Sequence, residues 1–118
     1  MNRPHNIVVV VLDSVRDDIF SEATTPTIDS LIETGSRYTH AVAPAPWSAP
    51  SHAGIFSGGY TDQHRVYRDN YEFRPENEPL ASRLSDAGYE TVAVSNNPYV
   101  STEFCFDRGF DEFLDNDG

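Results

Sequence analysis

Ser48 and His52 are the pair in this chain best suited to nucleophilic chemistry. They stand four positions apart in the stretch Trp47-Ser-Ala-Pro-Ser-His-Ala-Gly-Ile-Phe-Ser-Gly58. On a helix, residues at that spacing share a face, so the imidazole comes within reach of the hydroxyl and can act as its base. Ser48 is also a good N-cap with Pro50 just inside the first turn, which sets its hydroxyl at the positive end of a helix, where an anion binds. The same residues serve ordinary capping, and the stretch by itself does not separate the two uses. Asp13 is the second candidate. It follows directly on the apolar run Ile7–Leu12, beyond the carboxyl end of what reads as a central strand, and open parallel sheets bind their ligands there. Its carboxylate suits a hard cation, and it equally suits a turn cap shared with Ser14. A cation at Asp13 beside a hydroxyl at Ser48 would ease ionisation of the hydroxyl and neutralise charge on a phosphoryl or sulfuryl group held at the helix end.

The elements that must position these residues follow from the apolar pattern. Ile7–Leu12 is unbroken and mostly β-branched, which predicts a parallel strand covered on both faces. Thr25-Pro26, the stripe Ile28, Leu31 and Ile32, and Gly35 predict a short helix with an N-cap, a first-turn proline and a C′ glycine. Tyr38–Val42 reads as a second strand, with His40 a packed or edge residue. Pro44 and Pro46 then break regular structure and deliver the chain to the helix at Ser48, which ends near Gly58-Gly59. Residues 60–79 are polar, aromatic and rich in arginine, and read as a surface excursion. Leu80, Leu84 and Ala87 predict another helix, closed by Gly88 and followed by a strand over Tyr89–Ser95. The tail from Thr102, with Phe104, Phe106, Phe110 and Phe113, is expected to pack back as loop and short turns. Alternating strands and helices favour an α/β fold with a mostly parallel sheet flanked by helices and right-handed crossovers.

With 118 residues the chain fits a single domain able to bury a core. All eight basic residues are arginine, against nineteen Asp and Glu, for a formal charge of -11. Such a field repels nucleic acid and anionic membranes. Surface carboxylate without lysine also suits solubility in concentrated salt, so a halophilic source is expected. The lone Cys105, between Phe104 and Phe106, reads as a small apolar packer rather than a reactive thiol. The apolar run near the N-terminus is too short for a signal segment or a membrane span, and the expectation is a cytoplasmic protein. There is no G-x-G-x-x-G, no P-loop and no G-x-S-x-G elbow, which excludes the commonest nucleotide and α/β-hydrolase signatures.

Taken in order, Asn6 to Asp13, Thr25-Pro-Thr-Ile-Asp-Ser-Leu31, Ser48-Ala-Pro-Ser-His-Ala53 with Ser57-Gly58, Ala87-Gly-Tyr-Glu-Thr91 and Phe106-Asp-Arg-Gly-Phe-Asp-Glu-Phe113 resemble the sulfatase family of the alkaline phosphatase superfamily. The resemblance spans most of the chain and implies the N-terminal portion of an alkaline-phosphatase-like fold. It implies that Asp13 binds a divalent metal, usually calcium, and that Ser48 occupies the nucleophile position, where the family's Cys/Ser-x-Pro-x-Arg motif carries formylglycine. His52 stands in place of that arginine, which weighs against formylglycine at Ser48 and leaves room for an unmodified Ser48 alkoxide. Ser14 replaces a second metal-binding aspartate. Asn96 and Pro98 fall where many members carry a Lys-x-His pair, so Asn96 is the expected substrate contact.

The reaction implied is metal-dependent hydrolysis of a small-molecule sulfate or phosphate ester. Relatives with unmodified nucleophiles add phosphodiesterase and phosphoglycerol transferase chemistry. Family members are several times longer and draw further metal ligands from a C-terminal half, so a missing half or a completing chain is expected. A catalytically inert module with a binding role is the principal rival, and a Ser-His hydrolase unrelated to sulfatases is the other.

Overall fold

The computed structural model describes residues 5–18 and 25–115. It falls into two compact units, Met1–Ala41 and Val42–Gly118. The residues ahead of His5, part of the leader reading, lie outside the described ones.

In the first unit a helix, α1, spans Pro26–Thr34. Thr25 precedes it as N-cap and Pro26 supplies the pre-set φ of a first helical turn. Gly35 closes it in an extended conformation rather than the left-handed one a C′ glycine usually takes. The position suits glycine because a Cβ there would stand 2.8 Å from the Leu31 carbonyl oxygen. Ile28 and Ile32 are half-buried and Leu31 is exposed, so the predicted stripe is only partly covered.

Two predicted strands are absent from this unit. Ile7–Leu12 makes no strand ladder among the described residues, and its side chains are exposed, Val8 at 82% and Val11 at 42%. Residues 38–42 likewise form no strand; Thr39 and His40 make a turn, with Thr39 Oγ1 3.0 Å from His40 Nδ1. β-branched composition expresses a preference for a pleated, covered surface, and a strand exists only where partner backbones satisfy its N–H and C=O groups. The described residues supply no such partner to either segment.

The second unit holds the core. Helix α2 runs Ser48–Ser57, α3 Thr61–His64 and α4 Leu80–Asp86. Strand β1 is Val92–Val94, shorter than predicted, and it pairs in parallel with β2, Glu112–Leu114, in the register Val92 to Glu112 and Val94 to Leu114. A short 3-10 turn at Thr102–Phe104 stands between them. The architecture is therefore α/β, with helices and a two-stranded parallel sheet. The strand β2 lies in the tail expected to be loop. Its register is pinned by Asp111, whose carboxylate accepts from the Thr91 N–H at 2.8 Å and Thr91 Oγ1 at 3.0 Å. The Asp111 N–H returns a bond to Thr91 Oγ1 at 3.0 Å. Strands of three residues carry little strand signal in sequence, so these hydrogen bonds, not periodicity, determine the pairing.

Ala49, Ala53, Val66, Phe73, Val100 and Phe106 form the buried cluster, with Trp47, Phe56, Tyr71, Phe104 and Phe113 packed against it. Phe73 and Phe106 stack at 5.0 Å between ring centroids, and Phe56 from α2 meets both edge-on. The segment 60–79 is thus no mere surface excursion. It sends His64, Val66 and Phe73 inward, because a charged stretch with apolar residues at irregular intervals can bury those few while its arginines stay in water. Cys105 is half-buried at the C-cap of the 3-10 turn, with φ +62°.

Candidate active site

Ser48 is the first helical residue of α2, and Trp47, in extended conformation, takes the N-cap position expected for Ser48. The register differs by one residue because Pro50 is tolerated anywhere in the first turn, where its missing N–H has no intrahelical partner to lose. Ser51 N–H makes the first bond of the helix, to the Trp47 carbonyl at 3.3 Å. The first turn contains no acidic residue to set against the positive end of the helix. A half-buried hydroxyl at that end is a setting that favours an oxyanion or a bound anion.

The helix is held firmly beneath that hydroxyl. Ala49, Pro50, Ala53 and Gly54 are buried, and small side chains let neighbouring backbone come close. A Cβ on Gly54 would lie 2.8 Å from Pro44 Cγ and 3.3 Å from the Gly59 carbonyl oxygen, so only glycine fits. Pro44 is thereby packed on the helix that follows it.

His52 does approach Ser48, through its main chain. Nδ1 lies 2.8 Å from the Ser48 carbonyl oxygen. A carbonyl only accepts, so Nδ1 carries the proton and Nε2 is the basic nitrogen of the neutral ring. The ring is further held edge-on against Phe56, at 6.4 Å between centroids. Asn96 is exposed just beyond the carboxyl end of β1, after Ser95, whose N–H extends the ladder to the Leu114 carbonyl at 2.8 Å. Asp13 belongs to the first unit, in a turn with Ser14, whose hydroxyl lies 3.4 Å from its carboxylate. Ser14 takes a left-handed φ of +61° there.

Calcium takes about six to eight oxygen ligands. Among the described residues no three His, Cys, Asp or Glu side chains gather where they could hold a metal. One carboxylate with one neighbouring hydroxyl does not make up a calcium site.

Two further features of the second unit have no clear signature in sequence. His64 is wholly buried: its Nδ1 accepts from the Val66 N–H at 3.1 Å, and its Nε2 has no hydrogen-bond partner among the described residues. Burial lowers its pKa below the ordinary histidine value, opposed by the carboxylate of Asp62. Beside Ser48, Trp47 packs edge-on against Tyr71 at 5.5 Å, and Tyr71 stacks on Tyr99 at 5.4 Å. The aromatic density of residues 60–79 was the only sequence sign of the latter.

Ser48 is thus a half-buried serine opening a helix, with an imidazole tied to its carbonyl. The Sulfatase family model matches residues 5–118. The chain belongs to the sulfatase family, within the alkaline phosphatase superfamily. Neither a curated protein nor a solved structure gives a significant match.

Proposed function

We propose that this chain is the nucleophile-bearing N-terminal domain of a sulfatase-like hydrolase that attacks sulfate or phosphate esters through Ser48. The observation that carries this reading is Ser48 as the first residue of α2, at the positive end of the helix, in a chain of this family. The Ser48 oxygen attacks the sulfur or phosphorus, the ester oxygen departs and takes up a proton, and water then cleaves the Ser48 ester to release the sulfate or phosphate and restore the serine. His52, anchored through Nδ1, orients the Ser48 main chain and exchanges protons through Nε2. With histidine in place of the motif arginine, Ser48 acts as an unmodified serine, which admits phosphodiesterase or phosphoglycerol transferase chemistry. Asn96 contacts the substrate. Asp13 contributes one ligand to a divalent cation, calcium by family resemblance, whose other ligands come from another stretch of chain or a completing partner. The fold is then a portion of a larger, mostly parallel sheet of the alkaline phosphatase type, in a cytoplasmic protein. Among the described residues no helix is long and apolar enough to cross a membrane.

Hydrolysis of an aryl sulfate and a phosphodiester, with calcium present, tests the assignment. Ser48→Ala is expected to lower the rate by about a thousandfold or more. Wild-type rates in that variant end the nucleophile claim, and mass spectrometry of the peptide spanning Ser48 reads serine or aldehyde directly. A second reading, an inert module with a binding role, is favoured by the absence of a metal-binding cluster among the described residues. Calorimetric titration with calcium separates the two, since tight stoichiometric binding is incompatible with an inert metal site.

A further inference from the structure

Residues 65–76 are electrically balanced in a chain of net charge -11. Arg65, Arg68 and Arg74 stand against Asp69, Glu72 and Glu76, so three of the eight arginines lie in this one stretch. Within it Arg65 pairs with Glu76 at 2.6 Å and Arg74 with Glu72 at 2.7 Å. Arg68 and Asp69 are left over. Both are exposed, and neither makes a hydrogen bond or ion pair among the described residues. They form the tip of a tight turn whose flanks, Tyr67 and Asn70, exchange both backbone hydrogen bonds at 2.9 Å. Asn70 Nδ2 also donates to the Arg65 carbonyl at 2.8 Å, which holds the tip as a fixed projection. Beside it Arg68, Trp47 and Tyr71 wall an open hollow of about 340 Å³. Tyr71 is fixed there between Trp47, met edge-on at 84°, and Tyr99, stacked at 25° and itself 47% exposed.

We propose that this face is a two-fold interface with a second copy of the chain, in which Arg68 of each copy pairs with Asp69 of the other and the aromatic hollows supply the buried area around them. Two uncommitted charges of opposite sign on neighbouring residues are self-complementary. Rotation by a half-turn sets each against its opposite, and all four are satisfied at once. A partner of another kind would have to bring a matching pair of its own. The balance of residues 65–76 matters equally, because net charge far from zero keeps like chains apart. A chain of -11 approaches itself closely only where its surface carries no excess of either sign. Trp, Tyr and Arg are also the side chains that carry most binding energy where two proteins meet. Pairing of two copies requires nothing of Ser48 and stands whether or not that serine is a nucleophile.

Sedimentation equilibrium of the full chain tests it over about 1 μM to 1 mM, the range in which weak and moderate dimers dissociate. The salt is set at about 0.15 M, where a Debye length of about 8 Å screens the net charge more than pairs in contact. The mass is expected to rise from that of one copy towards that of two. Arg68→Asp leaves each tip doubly acidic and Asp69→Arg leaves it doubly basic, so either variant alone should dissociate about tenfold more readily. An equimolar mixture of the two should recover wild-type association, because each acidic tip then meets a basic one. Both residues are exposed on the turn, so urea midpoints should match the wild type. If a midpoint falls, the chain carrying both changes decides instead, since it only reverses the order of the charges and should pair as the wild type does. A mass that stays at one copy throughout the series, single variants that associate like the wild type, or a mixture no tighter than its components each overturn the proposal.

Discussion

Lowering the pH below neutrality should weaken the second unit through His64. Its Nδ1 accepts the Val66 N–H, so the ring is neutral with its proton on Nε2, and a second proton on Nδ1 would set donor against donor. The ring is fully buried, its folded pKa lies below the ordinary value of 6.5, and the Asp62 carboxylate only partly offsets the burial. The sign follows: below 6.5 the unfolded chain binds a proton that the folded chain refuses, so stability is fully present above 6.5 and falls as pH drops towards the folded pKa. One proton limits the slope to about 1.4 kcal/mol per pH unit, a sizeable part of the stability of a small domain. Urea unfolding followed by Trp47 emission, compared at about pH 7.5 and about pH 5, measures it. His64→Asn is the control, because its amide oxygen can still accept the Val66 N–H and does not titrate. The variant should lose less stability than the wild type across that interval, and equal losses would refute the reasoning. Asp111 acts in a separate window. Its hydrogen bonds from Thr91 N–H and Oγ1 hold its carboxyl below 3.8, so its contribution is present above that value and is lost as pH falls further.

Gly109→Ala should destabilise the second unit markedly, since φ is +89° and the new Cβ would stand 2.3 Å from Ser82 Oγ and 2.6 Å from Ser82 N. Gly58→Ala, at φ +68° with open space around it, should cost only the conformational penalty of about 1–2 kcal/mol. Urea midpoints of the two variants test that ordering, which reverses if contact with Ser82 is relieved by movement of α4. Thermal unfolding in increasing sodium chloride tests the halophilic expectation. Screening should raise Tm, by about 4–6 °C for each kcal/mol of self-repulsion relieved, and a Tm indifferent to molar salt would count against it.

Helices were legible where local signals coincide. Thr25-Pro26 with Gly35, and Pro50 with Gly58-Gly59, bound α1 and α2 because proline and glycine restrict the backbone whatever surrounds them. Strands were less legible. Ile7–Leu12 has the strongest strand composition in the chain and forms no ladder among the described residues, whereas Glu112–Leu114 has little and does. Pairing depends on a partner, and Thr91 with Asp111 supplied it from twenty residues away.

The sequence by itself determined the charge, the family and the position of Ser48 at a helix start, since these depend on residue identity and short-range backbone constraints. Only the tertiary structure decided how side chains of the second unit meet. It tied His52 to the Ser48 carbonyl, buried His64 without a partner for Nε2, and stood Tyr71 and Arg68 beside Trp47. Those relations join residues whose packing brings them together, and no local rule of spacing encodes which side chains a core will turn towards one another.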